Sequence, residues 1–140
     1  MKEVIIIRRE RFCASHKLHN PKWDEQKNRE VFGGCSNPNW HGHNYELIVK
    51  VAGKINSETG FVMNLKELSV ILNEKIIDKV DHKNLNMDVD FLKGKMTSTE
   101  MLVVCFWEEI EQEIKSKGAR LVSVRVNETE NNSAEYFGEN

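Results

Sequence analysis

Residues 35–51 read CSNPNWHGHNYELIVKV and contain the clearest strand pattern in the chain. Apolar side chains occupy every second position of the latter part, as in a β-strand with one buried face. These apolar residues are Tyr45, Leu47, Val49 and Val51. His41 and His43 share their parity, so both imidazoles are expected on that face. The stretch therefore predicts a half-buried strand that begins with two histidines on the same side.

Two histidines on one face of a strand can bind the same metal ion. His16 is the candidate third ligand, because it has the parity of Phe12 and Ala14 in an earlier predicted strand. Three histidines would leave a fourth position open, as in catalytic zinc sites. The alternative is that each histidine packs and hydrogen-bonds in the core, which is the commoner fate of an isolated His-x-His pair.

The periodicity of the whole chain predicts the order β-β-α-α-β-β. The predicted segments are a strand from Val4 to about Leu18, a loop over 19–40, the strand described above, a helix capped by Asn64 that runs to about Lys79, a helix capped by Thr97 that ends at Gly118, and strands over 121–128 and 133–138. This order indicates an α+β domain, with an antiparallel four-stranded sheet and two helices on one face. The other face stays open, which favours oligomerisation.

Glu128 has the parity of the apolar residues in the last long strand, which are Val122, Val124 and Val126. A carboxylate on the core side of a sheet needs a ligand, a cation or good hydrogen-bond donors, since burying it alone is unfavourable. Glu128 is therefore predicted to contact one of these.

Three further residues could move protons. Cys35 lies in the glycine-containing loop beside the proposed metal, where it could act as a base or nucleophile, although a lone cysteine is more often inert. Asp81 and His82 follow the first predicted helix, and a carboxylate bonded to an imidazole would make it a better proton acceptor. The alternative for Asp81 and His82 is a solvated helix end.

Composition limits the class of function. The 140 residues suit a single domain over 1–140, and the formal charge of −2, with both signs interspersed, argues against nucleic acid or a membrane surface as a partner. No apolar run is long enough for a membrane span or signal peptide. The cytoplasm is therefore the expected compartment, and the three widely spaced cysteines are expected to be reduced thiols.

Six motifs together resemble the 6-pyruvoyl-tetrahydropterin synthase family, in order and over nearly the whole chain. They are FCASHKL, FGGCSNPNWHGHNY, GFVMNLKEL, DHKNLNMD, TSTE and NETENN. The resemblance implies the tunnelling fold (T-fold), in which trimers close a barrel and stack as a homohexamer, with active sites between subunits. Two positions depart from the family pattern: Trp40 stands where a small residue is usual, and Cys13 replaces a serine.

The resemblance also implies roles for the candidate residues. By it, the zinc ligands are His16, His41 and His43, with one Zn²⁺ per chain; the general base is Cys35, activated by Asp81 and His82; the pterin anchor is Glu128; and the residues lining the pterin pocket are Ser98, Thr99 and Glu100. A helix-capping role is the alternative for the TSTE residues.

The implied reaction converts 7,8-dihydroneopterin triphosphate to 6-pyruvoyl-tetrahydropterin with loss of triphosphate. Mg²⁺ commonly accompanies a triphosphate, but the sequence shows no dedicated magnesium site. The related 6-carboxy-tetrahydropterin synthase uses the same machinery, and the five residues between Cys35 and His41 favour the pyruvoyl-forming branch, as does the ETENN motif. A non-enzymatic pterin- or metal-binding module and a His₃-zinc hydrolase are the alternatives from other classes.

Overall fold

The computed structural model describes residues 2–139 and has one β-sheet with helices packed on one face. Its elements are β1 (Glu3–His16), α1 (Glu25–Phe32), β2 (His41–Lys54), α2 (Leu65–Leu72), α3 (Asp78–Val80), β3 (Lys83–Asn84), α4 (Thr99–Ser116), β4 (Arg120–Asn127) and β5 (Ser133–Tyr136). A π-helical segment, Asn73–Ile77, joins α2 to α3, so the helical region follows the predicted span. The predicted α+β class is confirmed.

The sheet has the strand order β3-β1-β2-β4-β5. The four longer strands pair antiparallel, as predicted. The predicted count of four strands is corrected to five, because the two-residue β3 pairs parallel with the end of β1. A segment this short has no periodicity of its own, so its pairing depends on tertiary contacts.

The register between β1 and β2 brings the histidines together. His16 is the Cα partner of His41, and Ala14 is the partner of His43. Each strand exposes one face and buries the other, so the alternate buried positions continue into the histidines at the strand ends. The strand pairing thus places all three imidazoles at one end of the sheet.

A bulge changes the predicted inward face of β4. Lys50 pairs with Ser123 and Val51 with Leu121, which leaves Val122 as the extra residue. Leu121 is buried and Val122 only half-buried, so the prediction that Val122 faces the core was wrong. Beyond the bulge, Val124 and Val126 are fully buried, as predicted. Bulges disturb strict alternation and are difficult to detect in one sequence.

The predicted loop over 19–40 contains helix α1, which begins after Asp24. The Asp24 side chain caps the helix by accepting a hydrogen bond from the Lys27 amide at 2.8 Å. Helix α1 has no apolar stripe, and Asn28 is the one residue of this helix that is buried. Another cap was misplaced by one residue: α4 is capped by Ser98, which accepts from the Met101 amide, and not by Thr97. None of the helices in residues 2–139 is both long and apolar enough to cross a membrane.

Asn28 holds the start of α1 to the segment before it. Its amide donates to the carbonyls of Asn20 and Asp24 at 3.1 and 3.0 Å, and more weakly to that of Trp23 at 3.4 Å. Its Oδ1 accepts from the Asn20 amide at 2.7 Å. The side chain is 1% exposed, so these bonds form away from water.

We expect Asn28→Ala to reduce the free energy of unfolding by about 2–3 kcal/mol, because it leaves buried backbone groups without partners. Thermal unfolding followed by circular dichroism should show a midpoint lower by about 5–10 °C. Gln26→Ala is the matched control, since Gln26 lies on the same helix and makes only an exposed bond to Glu30. Equal midpoints for the two variants would contradict the assigned role of Asn28.

Candidate functional site

Three histidines converge at the ends of the two central strands. One ring nitrogen from each of His16, His41 and His43 lies within 4.8 Å of the other two. The ring centroids are 4.6 Å apart for His16 and His41, 5.3 Å for His16 and His43, and 4.9 Å for His41 and His43. The sequence thus predicted correctly that these side chains lie on one face and close together.

The protonation of His16 is set by its surroundings. His16 Nδ1 lies 2.8 Å from the carbonyl oxygen of Thr97 and therefore carries the hydrogen that it donates. Burial lowers the pKa of His16 to about 4, although the Thr97 carbonyl opposes this effect. The ring is neutral near pH 7, and its other nitrogen, Nε2, presents a lone pair.

The three histidines contain buried nitrogens without hydrogen-bond partners among the described residues. They are His16 Nε2, His41 Nδ1 and His43 Nε2. Burial, with the neighbouring His43, lowers the pKa of His41 as well, so two of the rings favour the neutral, metal-binding form. Packing and hydrogen bonding alone would leave these atoms unsatisfied, which is unfavourable. Three converging imidazole nitrogens fit a divalent metal ion such as zinc.

Glu128 lies directly beside the histidines. Its Oε2 accepts a hydrogen bond of 2.9 Å from the Thr99 hydroxyl, and its Oε1 is 3.8 Å from His43 Nε2. The carboxylate is half-buried and borders a cleft of about 510 Å³. The cleft is also lined by Ser98, Thr99, Glu100, Asn131 and Asn132. The structure thus brings together the residues predicted from the TSTE motif and Glu128.

Tyr45 packs against the rings of His16 and His43. The sequence did not identify it as a site residue. Its ring lies 5.4 Å from that of His43 and stacks on Phe12 at 4.7 Å. Burial raises the pKa of Tyr45, and the nearby Glu128 carboxylate and Cys35 side chain raise it further. Tyr45 is therefore neutral, and its buried hydroxyl has no partner among residues 2–139.

Cys35 lies in a 3₁₀ turn, Gly33–Ser36, after α1. Its thiol is exposed, which matches the expectation of an accessible cysteine in this loop. The Leu18 amide donates to the Cys35 carbonyl at 2.7 Å, so the turn is tied to the chain just beyond β1. This bond fixes the cysteine near the end of the sheet that carries the histidines.

Asp81 and His82 form the predicted pair. His82 Nδ1 lies 3.0 Å from Asp81 Oδ1, which also accepts from the Cys13 amide at 2.9 Å. The Cys13 amide and His82 lower the pKa of Asp81, so the carboxylate is charged. The His82 side chain is 81% exposed. Within residues 2–139, no hydrogen bond or ion pair joins His82 to Cys35, so one chain does not connect the pair to the thiol.

Comparisons with known proteins show the family to which this chain belongs. A sequence model described as 6-pyruvoyl tetrahydropterin synthase matches residues 5–139. The chain is 43% identical to a 6-pyruvoyl tetrahydrobiopterin synthase from Dictyostelium discoideum, covering 97% of each protein. It is 42% identical to the human protein of the same name, over 96% of this chain and 91% of that one.

The structure of 6-pyruvoyl tetrahydropterin synthase from Caenorhabditis elegans superposes with a TM-score of 0.92 at 34% identity, covering 99% of this chain and 98% of that one. A structure from Plasmodium vivax shares the fold at 16% identity, with a TM-score of 0.65 and coverage of 97% and 98%. These matches confirm the T-fold implied by the motifs. The chain belongs to the 6-pyruvoyl tetrahydropterin synthase family.

Proposed function

We propose that this protein converts 7,8-dihydroneopterin triphosphate to 6-pyruvoyl-tetrahydropterin and releases triphosphate. Relatives that are more than 40% identical over nearly the whole chain are named for this activity. One observation supports the proposal most directly: three histidine nitrogens that have no hydrogen-bond partner within residues 2–139 lie near a carboxylate that is held by a hydroxyl at the edge of a cleft. This arrangement suits a ligand with both a hydrogen-bonding ring and metal-binding hydroxyls.

Zinc is the proposed metal, one ion per chain, held by His16, His41 and His43. When bound, it would polarise the hydroxyls of the substrate side chain and acidify the adjacent C–H bonds. The hydrogen bond from His16 to the Thr97 carbonyl fixes the ring orientation, as is usual for metal-binding histidines. No separate Mg²⁺ site is proposed, and Mg²⁺ would arrive with the triphosphate of the substrate.

Glu128 is proposed to anchor the pterin ring. A carboxylate can accept hydrogen bonds from ring and amino N–H groups, and Thr99 fixes Oε2 of this carboxylate. Ser98 and Glu100 border the same cleft and are proposed to line the pterin pocket. The short distance from Glu128 to His43 would place the side chain of an anchored pterin beside the histidines.

Cys35 is the proposed general base, and the Asp81–His82 pair is proposed to activate it. Because Asp81 accepts the Nδ1 hydrogen of His82, the remaining nitrogen, Nε2, can take a proton from a thiol. The thiolate would then remove and return protons on the substrate side chain. All three cysteines are unpaired thiols, which supports the cytoplasm as the proposed compartment.

A homohexamer with sites between subunits is proposed, because one chain does not join Cys35 to His82. The N-terminal half of β1 is also an open edge: β3 pairs only with Ala14 and Ser15. Ile5 and Ile7 on this half are half exposed, as expected for a strand that a partner covers.

Product analysis tests the proposed reaction. We expect mass spectrometry after incubation with 7,8-dihydroneopterin triphosphate to show 6-pyruvoyl-tetrahydropterin and free triphosphate. A 6-carboxy product would assign the chain to the carboxy-forming activity instead, and a hydrolysed ester or ring would indicate a metallohydrolase. Unchanged substrate with bound pterin would indicate a binding module.

Glu128→Gln should raise KM about 10- to 100-fold, because the amide retains the shape but loses the negative charge and replaces one of the two acceptor oxygens with an NH₂ donor. Steady-state kinetics on the zinc-loaded protein measure this effect. Glu130→Gln is the matched control, since Glu130 is two residues away and exposed. A KM for Glu128→Gln equal to that of the control would refute the proposed anchor.

A further inference from the structure

Asn86 connects the segment after β3 to the end of β1, next to His16. The segment runs beside β1, where the Leu85 amide donates to the Ser15 carbonyl at 2.8 Å. One residue further on, Asn86 Oδ1 accepts from the Lys17 amide at 3.1 Å, and Asn86 Nδ2 donates to the Lys17 carbonyl at 3.0 Å. The Asn86 side chain therefore fixes the backbone of the residue that follows His16.

The same side chain contacts Thr97, whose carbonyl orients the His16 ring. The Thr97 hydroxyl lies 3.1 Å from Asn86 Oδ1 and 3.3 Å from the Lys17 carbonyl, and it can donate to either. Thr97 is 0% exposed, and its carbonyl lies 2.8 Å from His16 Nδ1. These hydrogen bonds close a ring that leaves the His16 imidazole and returns to the His16 backbone through the three other residues.

This ring of hydrogen bonds holds His16 at two points, its backbone and its imidazole. The free nitrogen of the imidazole, Nε2, is buried and has no hydrogen-bond partner among residues 2–139. The orientation of the imidazole decides where the lone pair of Nε2 points. Because a zinc–imidazole bond forms only at about 2.0–2.1 Å, a small rotation of the ring would move Nε2 away from the metal position.

The contacts of Asn86 differ from those of the asparagine two residues before it. Asn84 Oδ1 accepts from the amides of Asn86 and Met87, so Asn84 shapes the turn in which it lies. The polar groups of the Asn86 side chain instead reach the residues that flank and orient His16, far away in the sequence or beyond the turn. Asn86 thus acts on the histidine site and not on its own turn.

We propose that Asn86 is a positioning residue for His16, the buried ligand of the proposed metal. It acts through the hydrogen bonds that hold this histidine and does not contact the metal. The inference rests on the proposed function, in which His16 binds zinc. Asn86 belongs to the segment that begins with the Asp81–His82 pair, so one segment would supply the proposed activating pair and support the proposed metal site.

Zinc affinity, measured by competition with a chromophoric chelator, tests the inference separately from turnover. We expect Asn86→Ala to bind zinc about tenfold more weakly than the unaltered protein, because groups that orient a metal ligand contribute at least this much to affinity. Asn86→Asp keeps the oxygen that accepts from the Lys17 amide and the Thr97 hydroxyl, so it should recover most of the affinity. Thr97→Val breaks the ring of bonds at the hydroxyl and keeps the backbone carbonyl. This second variant should also weaken zinc binding, and it replaces Asn86→Ala if that variant does not fold.

Asn73→Ala is the matched control, because Asn73 is also half-buried and donates to the Ser69 carbonyl at 2.8 Å, but lies in the π-helical segment. The control should have a lower thermal midpoint without zinc and an unchanged zinc affinity. A merely structural role of Asn86 predicts the same result for Asn86→Ala. Zinc affinities of Asn86→Ala and Thr97→Val within about twofold of the unaltered protein would therefore overturn the inference.

Proton NMR of the metal-free protein separates this inference from the proposed function. The His16 Nδ1 proton, which is bonded to the Thr97 carbonyl, should exchange more rapidly with water in Asn86→Ala than in the unaltered protein, since the bond opens more often. Equal exchange in the two proteins would show that Asn86 does not orient His16. If the unaltered protein binds no zinc, the proposed function fails at its metal, and the exchange rates alone decide whether Asn86 positions the ring.

Discussion

Cys35→Ala should lower the rate of triphosphate release from 7,8-dihydroneopterin triphosphate about 10²- to 10⁴-fold, the usual contribution of a general base. The proposed metal ligands and pterin anchor are untouched, so zinc content and KM should change little. The thiol is exposed, and its removal creates no cavity in the core. Single-turnover assays with zinc-loaded protein separate this loss from slow product release.

Cys13→Ser is the control for Cys35→Ala. Cys13 is also an exposed thiol, but it contacts the Asp81 carboxylate through its backbone amide, which serine retains. The activity of Cys13→Ser should stay near that of the unaltered protein. Undiminished triphosphate release by Cys35→Ala would exclude the thiol as the base.

Co-expression of Cys35→Ala with His82→Ala tests whether the proposed base and its proposed activator come from different subunits. Each variant alone should be nearly inactive. Mixed oligomers should regain about a quarter of full activity, since one site in four would combine an intact Cys35 with an intact His82 of a neighbouring chain. No recovery, with both variants inactive alone, would mean that both groups act within one chain. Full activity of His82→Ala alone would mean that the pair does not activate the thiol.

Strand periodicity was sufficient to predict the two central strands, β1 and β2, and the histidine cluster at their ends. Side chains alternate strictly between the faces of a strand, so shared parity predicted that His41 and His43 lie together. His16 joined them because the antiparallel register of β1 and β2 aligns the two strand ends. The register itself follows from burying the alternating apolar residues of both strands.

Helix α1 and the bulge in β4 could not be predicted from side-chain periodicity. Helix α1 buries Asn28 and not an apolar stripe, so no helical period marks it in the sequence. The bulge at Val122 inserts a residue without a sequence signal that distinguishes it from regular alternation. In both segments, hydrogen bonds and tertiary contacts decide the backbone path, and a single sequence does not reveal them.

The sequence also did not reveal the groups that surround and orient the histidines. The Thr97 carbonyl that orients His16 is a backbone atom, which every residue type possesses. Tyr45 belongs to the apolar alternation of β2, and only the structure shows that its hydroxyl is buried beside the histidines with no partner among the described residues. Side-chain type can identify candidate ligands, whereas the groups that orient them depend on the folded backbone.

His43→Ala should remove most of the bound metal, from about one zinc per chain to less than about 0.1 after dialysis, because two histidines bind zinc far more weakly than three. Triphosphate release should fall with it. His43 is the best of the three proposed ligands to alter, since its side chain is 19% exposed, whereas His16 is 1% exposed and its loss would also disturb packing. Elemental analysis of the purified protein measures the metal directly.

His19→Ala is the control for His43→Ala, because His19 is half-buried and lies outside the three-histidine cluster. It should retain full zinc content. Added zinc should raise the thermal midpoint of the metal-free unaltered protein and of His19→Ala, since a ligand that binds only the folded state stabilises it, but should leave His43→Ala nearly unchanged. Full zinc occupancy in His43→Ala would refute the ligand assignment. The histidines would then only pack in the core, which would not explain why their buried nitrogens have no hydrogen-bond partner in the part of the chain that the structure describes.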